Sequence, residues 1–245
     1  MYKVQKIVPF RFSKDAKFNK ISLLHVATTI LFLGIILSFT TSFWDNLLPS
    51  HSSKFSAKAA TSTPLVRRVN IPYFSSTVPF NQTAIFWFGQ VSSTSNYTDV
   101  RIGYSKSELY IDLHRVDRWL WYDTNTQAPD LTKGDNATIY LNTTQNSGST
   151  SYKFQAGVNG YVARNNYQKA YSGNGTAWTA ANIPFTAVYG WRGHGLNGAE
   201  GRGWSMTYHI PFASLGVSTP SQGALWKLGV RVHNRDDAAN TPIPD

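Results

Sequence analysis

The sequence predicts an all-β protein, an antiparallel β-sandwich of the immunoglobulin or jelly-roll kind, preceded by one N-terminal transmembrane or signal-anchor helix. Three observations support this prediction. Short segments after residue 70 alternate apolar and polar residues, runs rich in Gly, Asn, Ser and Thr separate these segments, and one long uncharged run precedes them all. After Phe43 no segment has the spacing of an amphipathic helix. Many short alternating strands joined by turns are typical of a sandwich.

The first 43 residues predict a basic cytoplasmic tail and a membrane span. Residues 1–20 contain six cations and one anion, a net charge of +5. Residues 21–43 contain no charged residue and are mostly apolar, and this run is long enough to cross a bilayer core of about 30 Å. Cations ahead of a span orient it with the following chain outside the cytoplasm. A buried core helix is the alternative, but no helical partner follows in the sequence.

The residues that follow the predicted span indicate that the span is retained rather than cleaved off. A cleaved signal peptide needs an apolar core of about 7 to 15 residues and a small-residue site directly after it. Here the run is longer, Trp44 and Asp45 follow it, and the nearest Ala-x-Ala lies downstream at 57–59. We therefore predict a membrane-anchored, extracytoplasmic domain, with secretion after cleavage as the alternative. Residues 44–65, rich in Ser, Ala and Lys, predict a flexible linker, and residues 66–245 the sandwich.

Charge and cysteine content exclude several function classes. The formal charge of +10 suggests nucleic acid, but from residue 71 onward there are 13 basic and 11 acidic residues, a net charge of only +2. The basicity therefore belongs largely to the tail, and nucleic acid is not a predicted partner. The chain has no cysteine, which excludes thiolate metal sites and thiol nucleophiles. We expect the first 65 residues to contribute no strand and the sandwich to fold without them.

The strands follow in order along the chain. The first two are short, at 71–74 (IPYF) and 84–91 (AIFWFGQV). The clearest prediction is a hairpin at 99–118, where each strand alternates around a polar turn. Its buried face is predicted to carry Val100, Ile102, Tyr104, Leu109, Ile111 and Leu113. The opposite positions are polar, as expected for an antiparallel sheet with one face in solvent.

Four further segments alternate in the same way, separated by a polar loop and an irregular aromatic region at 167–203. They are 136–142, 151–161, 203–217 and 225–237. Trp204 and Trp226 lie on the apolar phase of their strands and are predicted core residues.

Four of these segments resemble one family in sequence and in order. The hairpin DVRIGYSKSELYIDLHRVDR is similar to a strand, short acidic turn, "LYV" strand and following Asp; LTKGDNATIYLN is similar to "gDsveiyl". GRGWSMTYHIPFASLG resembles "gytvE.aIPf..Lg", and GALWKLGVRVHNRDD resembles "G..wgfnv.vnd". Residues 85–237 thus resemble the family 9 carbohydrate-binding module and its DOMON-like relatives. Where that family commonly has an acidic residue, this chain has Thr207 or Tyr208.

Aromatic residues form the first candidate site. The set comprises Trp119, Trp121, Tyr122, Trp178, Tyr189 and Trp191, with Arg118 beside the first pair. Sugars offer flat C–H faces to aromatic rings and hydroxyls to charged or amide groups, so such a set suits carbohydrate. The alternative for Trp119 and Trp121 is that they cap the core. Trp191 lies among frequent glycines, and we expect its ring to be exposed.

The second candidate is a polar face on the outward phase of the later strands. It would bring together His114, His209, Arg231 and His233, with Arg231 counted among the carbohydrate-binding residues. The alternative is an ordinary solvated sheet face.

Metal, haem and hydrolytic chemistry have weaker signals. Asp117, Asp123, Asp130 and Asp135 offer oxygen donors in loops, and the family resemblance implies that calcium can be structural, but no regular calcium-loop spacing is present. Some DOMON-like domains bind haem through Met and His, but Met206 and His209 lie on opposite phases of one strand. Asp117 and Asp123 are the only local pair for hydrolysis, and we expect no catalysis.

The sequence therefore predicts an exported or membrane-anchored sandwich that binds a polysaccharide or oligosaccharide without catalysis. A structural or adhesive surface domain of the same fold is the rival, because fold does not fix function. A single exposed concave group formed by Trp119, Trp121, Trp178 and Trp191 would favour sugar binding, whereas their dispersal into the core would favour the rival. Members of the family that this chain resembles usually have one more strand after the segment at 225–237. We therefore expect either that the chain is a fragment of a longer protein or that the sheet has an open edge beside residues 226–233.

Overall fold

The computed structural model describes residues 7–13, 68–89, 97–143, 150–159 and 164–239, and all of them belong to one compact unit. The predicted span and linker, residues 21–65, lie outside these ranges. Within the described ranges, no helix has the length and apolar character needed to cross a bilayer.

Thirteen strands and three short 3-10 helices make up the described chain. The strands are β1 (Ile7–Ser13), β2 (Val69–Pro72), β3 (Ala84–Gly89), β4 (Tyr97–Tyr104), β5 (Glu108–Arg115), β6 (Trp119–Leu120), β7 (Asn136–Asn142), β8 (Ser151–Gly157), β9 (Gln168–Gly173), β10 (Trp178–Ala180), β11 (Thr186–Gly193), β12 (Ala199–Pro211) and β13 (Leu225–His233). The 3-10 helices are Phe80–Gln82, Arg164–Tyr167 and Phe212–Leu215.

The strands form two sheets, as the predicted sandwich requires. One has seven strands in the order β10-β9-β8-β7-β13-β1-β2. The other has the order β11-β12-β5-β4-β3, with β6 paired to the start of β12. Neighbouring strands run antiparallel except β1 and β2, which are parallel. The all-β prediction is confirmed.

Alternating residues of both sheets point inward and form the core. The predicted hairpin residues are buried, from Val100 to Leu113, and the predicted core residues Trp204 and Trp226 are 2% and 0% exposed. The Tyr208 hydroxyl donates to the Ala137 carbonyl over 2.7 Å and so joins the two sheets inside the core. Burying side chains of this size is the main stabilising contribution.

Strand β1 corrects one prediction. The first 65 residues were expected to contribute no strand, but Ile7–Ser13 pairs with β13 over Ile7 to Arg11 and with β2 over Phe10 to Ser13. The sequence of β1, IVPFRFS, does alternate apolar residues at even positions. The surrounding cations hide this pattern, because they suggest a charged tail when composition is read over twenty residues.

The same pairing removes the predicted open edge. Strand β13 has β7 on one side and, along Leu225–Gly229, β1 on the other, so it is not an edge strand, although residues 230–233 are in register with β7 alone. Strand β2, the next strand out, contains Ile71 and Pro72 of the predicted IPYF segment.

Candidate functional site

Three aromatic side chains lie on the outer face of the seven-stranded sheet. Tyr140 in β7 is opposite Lys153 in β8, and Lys153 is opposite Tyr171 in β9. Trp178 in β10 is opposite Gly173, which shares the outward phase of Tyr171. We call Tyr140, Tyr171 and Trp178 the aromatic platform. All three are partly exposed, although the strands that carry them bury their alternate residues in the core.

Lys153 lies at the centre of the aromatic platform. Its Nζ is 3.7 Å from the Tyr171 ring centroid and 5.6 Å from that of Trp178. The Tyr140 and Trp178 rings are 5.6 Å apart and inclined by 55°. Cations near aromatic faces are attracted to them. Burial lowers the pKa of Lys153, and the nearby positive charge of Arg231 lowers this pKa further.

A tight turn between β9 and β10 positions Trp178. The Asn174 side-chain oxygen accepts hydrogen bonds from the Thr176 and Ala177 amides at 3.1 and 2.9 Å. A Cβ on Gly173 would lie 2.0 Å from the Ala177 carbonyl oxygen, so no larger residue fits without moving the backbone. The turn therefore holds Trp178 beside Tyr140 at the edge of the sheet.

A groove of about 500 Å³ borders the platform at Tyr171 and is lined by residues 168–171 and 180–185. Gln168 holds its two walls together. The Gln168 amide donates to the Phe185 carbonyl over 2.9 Å, and its oxygen accepts from the Ala187 amide over 3.0 Å. The platform thus adjoins a concave surface rather than a flat one.

Polar side chains line the strands beside the platform. Arg231 in β13 is opposite Thr138, and Thr138 is opposite Gln155. These residues share the outward phase with Lys153 and Tyr140. The face therefore combines aromatic rings with hydrogen-bond donors and acceptors, which suits a polyhydroxylated ligand.

Of the predicted site residues, Trp178 and Arg231 lie on this face, whereas the RWLW segment lies elsewhere. Trp119 is in β6, which pairs with β12. The Arg118 guanidinium is 5.4 Å from the Trp119 ring centroid and makes an exposed ion pair with Glu200 at 3.0 Å. Trp121 has the Arg235 guanidinium 4.5 Å from its ring centroid. Both tryptophans are partly buried.

Trp191 corrects the expectation of an exposed ring. It lies in β11 on the same phase as Tyr189, and the two rings stack at 5.6 Å. Its indole packs against the core and approaches Gly195 so closely that a Cβ there would lie 2.6 Å from the ring. The glycines that suggested an uncovered ring instead let the backbone cover it. The four predicted tryptophans thus do not form one group.

The predicted polar face is also divided between the two sheets. Arg231 and His233 belong to β13, but His114 and His209 lie on the outer face of the six-stranded sheet. His114 is 3.0 Å from an oxygen of Asp112 and 3.6 Å from one of Asp99. The expectation of one shared face is therefore wrong.

The charged groups of the six-stranded sheet are engaged with one another. Arg101 lies 3.1 Å from Asp99, and Thr207 donates to Asp112 over 2.7 Å. Burial raises the pKa of Asp112, but hydrogen bonds from His114 and Thr207 outweigh it, so the pKa lies below its ordinary value.

The loop aspartates act as hydrogen-bond acceptors. Asp117 accepts from the Trp119 amide and the Trp204 indole, and Asp135 accepts from the Trp121 and Arg235 amides. Within the part of the chain that the structure describes, no three acidic or histidine side chains gather as metal ligands. Structural calcium therefore stays a prediction of the family resemblance.

Desolvation strongly affects the same two carboxyls. Burial, and then the charge of Asp236, raises the pKa of Asp117 to about 7. Burial and the neighbouring Asp117 charge also raise the pKa of Asp135 well above its ordinary value. These groups hold backbone and indole N–H groups in place, so their role is structural.

The geometry does not support haem binding or hydrolysis by the residues considered for them. Met206 is 1% exposed inside the core, whereas His209 lies on the outer sheet face beside Tyr110, so the two cannot bind one iron. Asp123 accepts the Asn125 and Asp130 amides and shapes its own loop.

Sequence reasoning missed Tyr140, Tyr171 and Lys153. Tyr140 and Lys153 lie on the outward phase of strands whose inward phase was predicted correctly, whereas Tyr171 lies in β9, inside the region 167–203 that was predicted to be irregular. Only the apolar phase was examined there, because a lone tyrosine opposite a core residue is not by itself a signal. The combination becomes visible once the order β7-β8-β9-β10 places these residues side by side.

No family model matches this sequence, and a search of curated proteins finds no match. Solved structures do resemble it. Two are structures of a family 9 carbohydrate-binding module from Caldicellulosiruptor kristjanssonii. The complex with cellotriose has 14% sequence identity and a TM-score of 0.45, and the match covers 69% of this chain and 78% of that chain. The complex with glucose has 13% sequence identity and a TM-score of 0.45, and the match covers 70% of this chain and 81% of that chain. A third is a candidate carbohydrate-binding protein from Bacteroides uniformis, with 9% sequence identity, a TM-score of 0.44, and a match that covers 63% of this chain and 73% of that chain. The family that the sequence motifs resemble is thus represented among the solved structures similar to this chain.

Proposed function

We propose that this domain binds carbohydrate, without catalysis, on the outer face of its seven-stranded sheet. The observation that carries the proposal is the aromatic platform: three partly exposed rings meet beside a groove of about 500 Å³. Aromatic rings in water favour ligands with apolar faces, and pyranose rings present such faces through their axial C–H groups. The hydroxyls of such a ligand would find partners in Gln155 and Arg231, which are partly exposed.

Trp178 is the central binding residue in this proposal. It stands at the sheet edge on a rigid turn, and large aromatic anchors on rigid elements lose little conformational entropy on binding. Tyr140 supports it from one side and Lys153 from the other. Trp119, Trp121 and Trp191 are assigned no binding role.

A pair of tryptophan variants tests the proposal. A glycan array would first identify a ligand, with glucose and cellotriose among the probes, followed by calorimetric titration. We expect Trp178→Ala to weaken binding at least about tenfold. Trp87→Ala is the matched control, because Trp87 is 59% exposed on the opposite sheet, and it should leave binding unchanged. Equal binding by both variants, or no saccharide bound by the folded protein, would instead favour the structural or adhesive domain.

We also propose that residues 21–43 direct export of the domain and anchor it in a membrane. The support is the uncharged run itself and the cations before it. A cytoplasmic tail would separate β1 from β13 by the membrane, so the pairing of these two strands contradicts a cytoplasmic position of residues 7–13. Protease accessibility of an N-terminal tag in intact cells tests this: a protected tag with an accessible sandwich supports anchoring, and an accessible tag contradicts it.

A further inference from the structure

The strands of the seven-stranded sheet lack acidic residues altogether. None of β1, β2, β7, β8, β9, β10 and β13 contains Asp or Glu. The strands of the other sheet carry four, namely Asp99, Glu108, Asp112 and Glu200. The outward positions of β8, β9 and β13 instead carry four cations: Lys153, Lys169, Lys227 and Arg231. One outer face of the sandwich is therefore positively charged.

Two of these cations lie next to the platform. Lys153 is partly buried between Tyr171 and Trp178, and it is close enough to Arg231 for the two charges to repel. Among the described residues, no carboxylate forms an ion pair with Lys153. Lys169, by contrast, donates to the Pro129 carbonyl at 3.3 Å and faces away from the centre. Desolvation and like-charge repulsion at Lys153 both cost free energy that a bound anion would recover.

We propose that the saccharide bound at this face is acidic, a uronic acid or sulfated oligosaccharide. This inference rests on the proposed function. The carboxylate or sulfate would accept charge-assisted hydrogen bonds from Lys153 and Arg231. The C–H face of the same or the next sugar ring would lie on Trp178.

An acidic saccharide fits this face better than a nucleic acid does. The ammonium of Lys153 lies over the Tyr171 ring, so this ring is not open for a base to stack on. Gln155 on the same outward phase is partly exposed and offers an amide group to sugar hydroxyls. The net charge after residue 71 is only +2, whereas binding of a nucleic acid strand draws on many phosphate contacts.

The test compares each acidic ligand with its uncharged counterpart. The full chain would be titrated with oligogalacturonate and its methyl ester, and with sulfated oligosaccharides and their desulfated forms. We expect at least one acidic form to bind about tenfold or more tightly than its counterpart, and to weaken as salt increases. Lys153→Met should remove this preference without lowering the unfolding temperature. Lys106→Met is the control, an exposed cation in the β4–β5 turn of the other sheet.

The outcomes separate the two proposals. Equal or tighter binding of the uncharged forms, or of cellotriose, would overturn the acidic preference and leave carbohydrate binding intact. Loss of preference in Lys106→Met as well as Lys153→Met would also overturn it. Binding of single-stranded DNA or polyphosphate as tightly as the acidic saccharide would identify unspecific polyanion binding and overturn it too. If no saccharide binds to the folded protein, both proposals fail.

Discussion

The two outer faces of this sandwich differ in which charged residues they carry and in how these residues are paired. On the six-stranded sheet, Asp99, Asp112 and Arg101 lie within hydrogen-bond or ion-pair distance of each other or of His114 and Thr207. On the seven-stranded sheet, no strand carries an acidic residue, and Lys153 lies beside the rings of Tyr171 and Trp178. When the polar groups of a face form hydrogen bonds and ion pairs with each other, few donors and acceptors remain for a ligand. The comparison teaches that the two faces differ in the sign balance of their strands, which a count of polar residues alone does not show.

Tryptophan substitution on inner and outer faces gives the largest expected effect. Trp204→Ala and Trp226→Ala should each lower the free energy of unfolding by about 3 to 5 kcal/mol, because both side chains are fully buried. Trp87→Ala on the outer face should cost less than about 1 kcal/mol. Chemical denaturation of the three variants measures this. A large cost for Trp87→Ala would mean that the outer face of the six-stranded sheet is packed rather than solvated.

A pH titration tests the buried carboxyls between the sheets. The folded pKa of Asp117 is raised to about 7, so the fold favours its protonated form. Stability is then fully present below the unfolded pKa near 4 and is lost as pH rises towards 7, by up to about 4 kcal/mol.

The measurement is denaturant unfolding between pH 4 and 8 with a chelator present. Asp117→Asn should flatten the profile, even though the amide lowers stability overall by placing a donor against the Trp204 indole. A profile that rises from pH 4 to 7 in the parent protein would contradict the assignment.

Removal of β1 is expected to have a smaller effect on the seven-stranded sheet. Deleting residues 1–16 exposes the β13 edge and isolates β2, and we expect a loss of about 2 kcal/mol or more, roughly 4 to 8 °C in Tm. A synthetic peptide of residues 5–15 should restore the Tm in a concentration-dependent way, and a scrambled peptide should not. An unchanged Tm on deletion would show that the sheet does not need β1.

The smallest expected effect concerns Arg118, one of the predicted binding residues. Its ion pair with Glu200 is exposed, so Arg118→Ala should change the free energy of unfolding by less than about 0.5 kcal/mol. It should also leave saccharide affinity unchanged, whereas Arg231→Gln should reduce it. Reduced binding in Arg118→Ala would move the site towards β6.

Alternation predicted the strands well, because a strand with one buried face must repeat every two residues. The hairpin at 99–118 and the core positions of Trp204 and Trp226 follow from that period alone. It could not predict which strands become neighbours, since pairing between distant segments is set by tertiary packing. The predicted aromatic set therefore joined Trp178 of β10 to Trp119 and Trp121, which lie elsewhere, and left out Tyr140 in β7 and Tyr171 in β9.

Trp191 and β1 illustrate two other limits. Glycines around Trp191 suggested an uncovered ring, but glycine also permits the closest backbone approach, and composition does not distinguish the two outcomes. In β1, the alternating apolar residues lie among lysines that dominate any count over a long window. Both errors came from giving composition more weight than local pattern.

The pairing of β1 with β13 constrains the order in which the molecule can be completed during synthesis. Ile7 and its partner Gly229 are separated by most of the chain, so β1 leaves the ribosome long before β13 exists. Until residue 233 has emerged from the ribosome, β1 has no antiparallel neighbour to pair with. Contacts of such long range slow folding and favour wrong associations in the interval. We therefore expect nascent chains that stop before β13 to need a chaperone on β1, and the finished chain to release it.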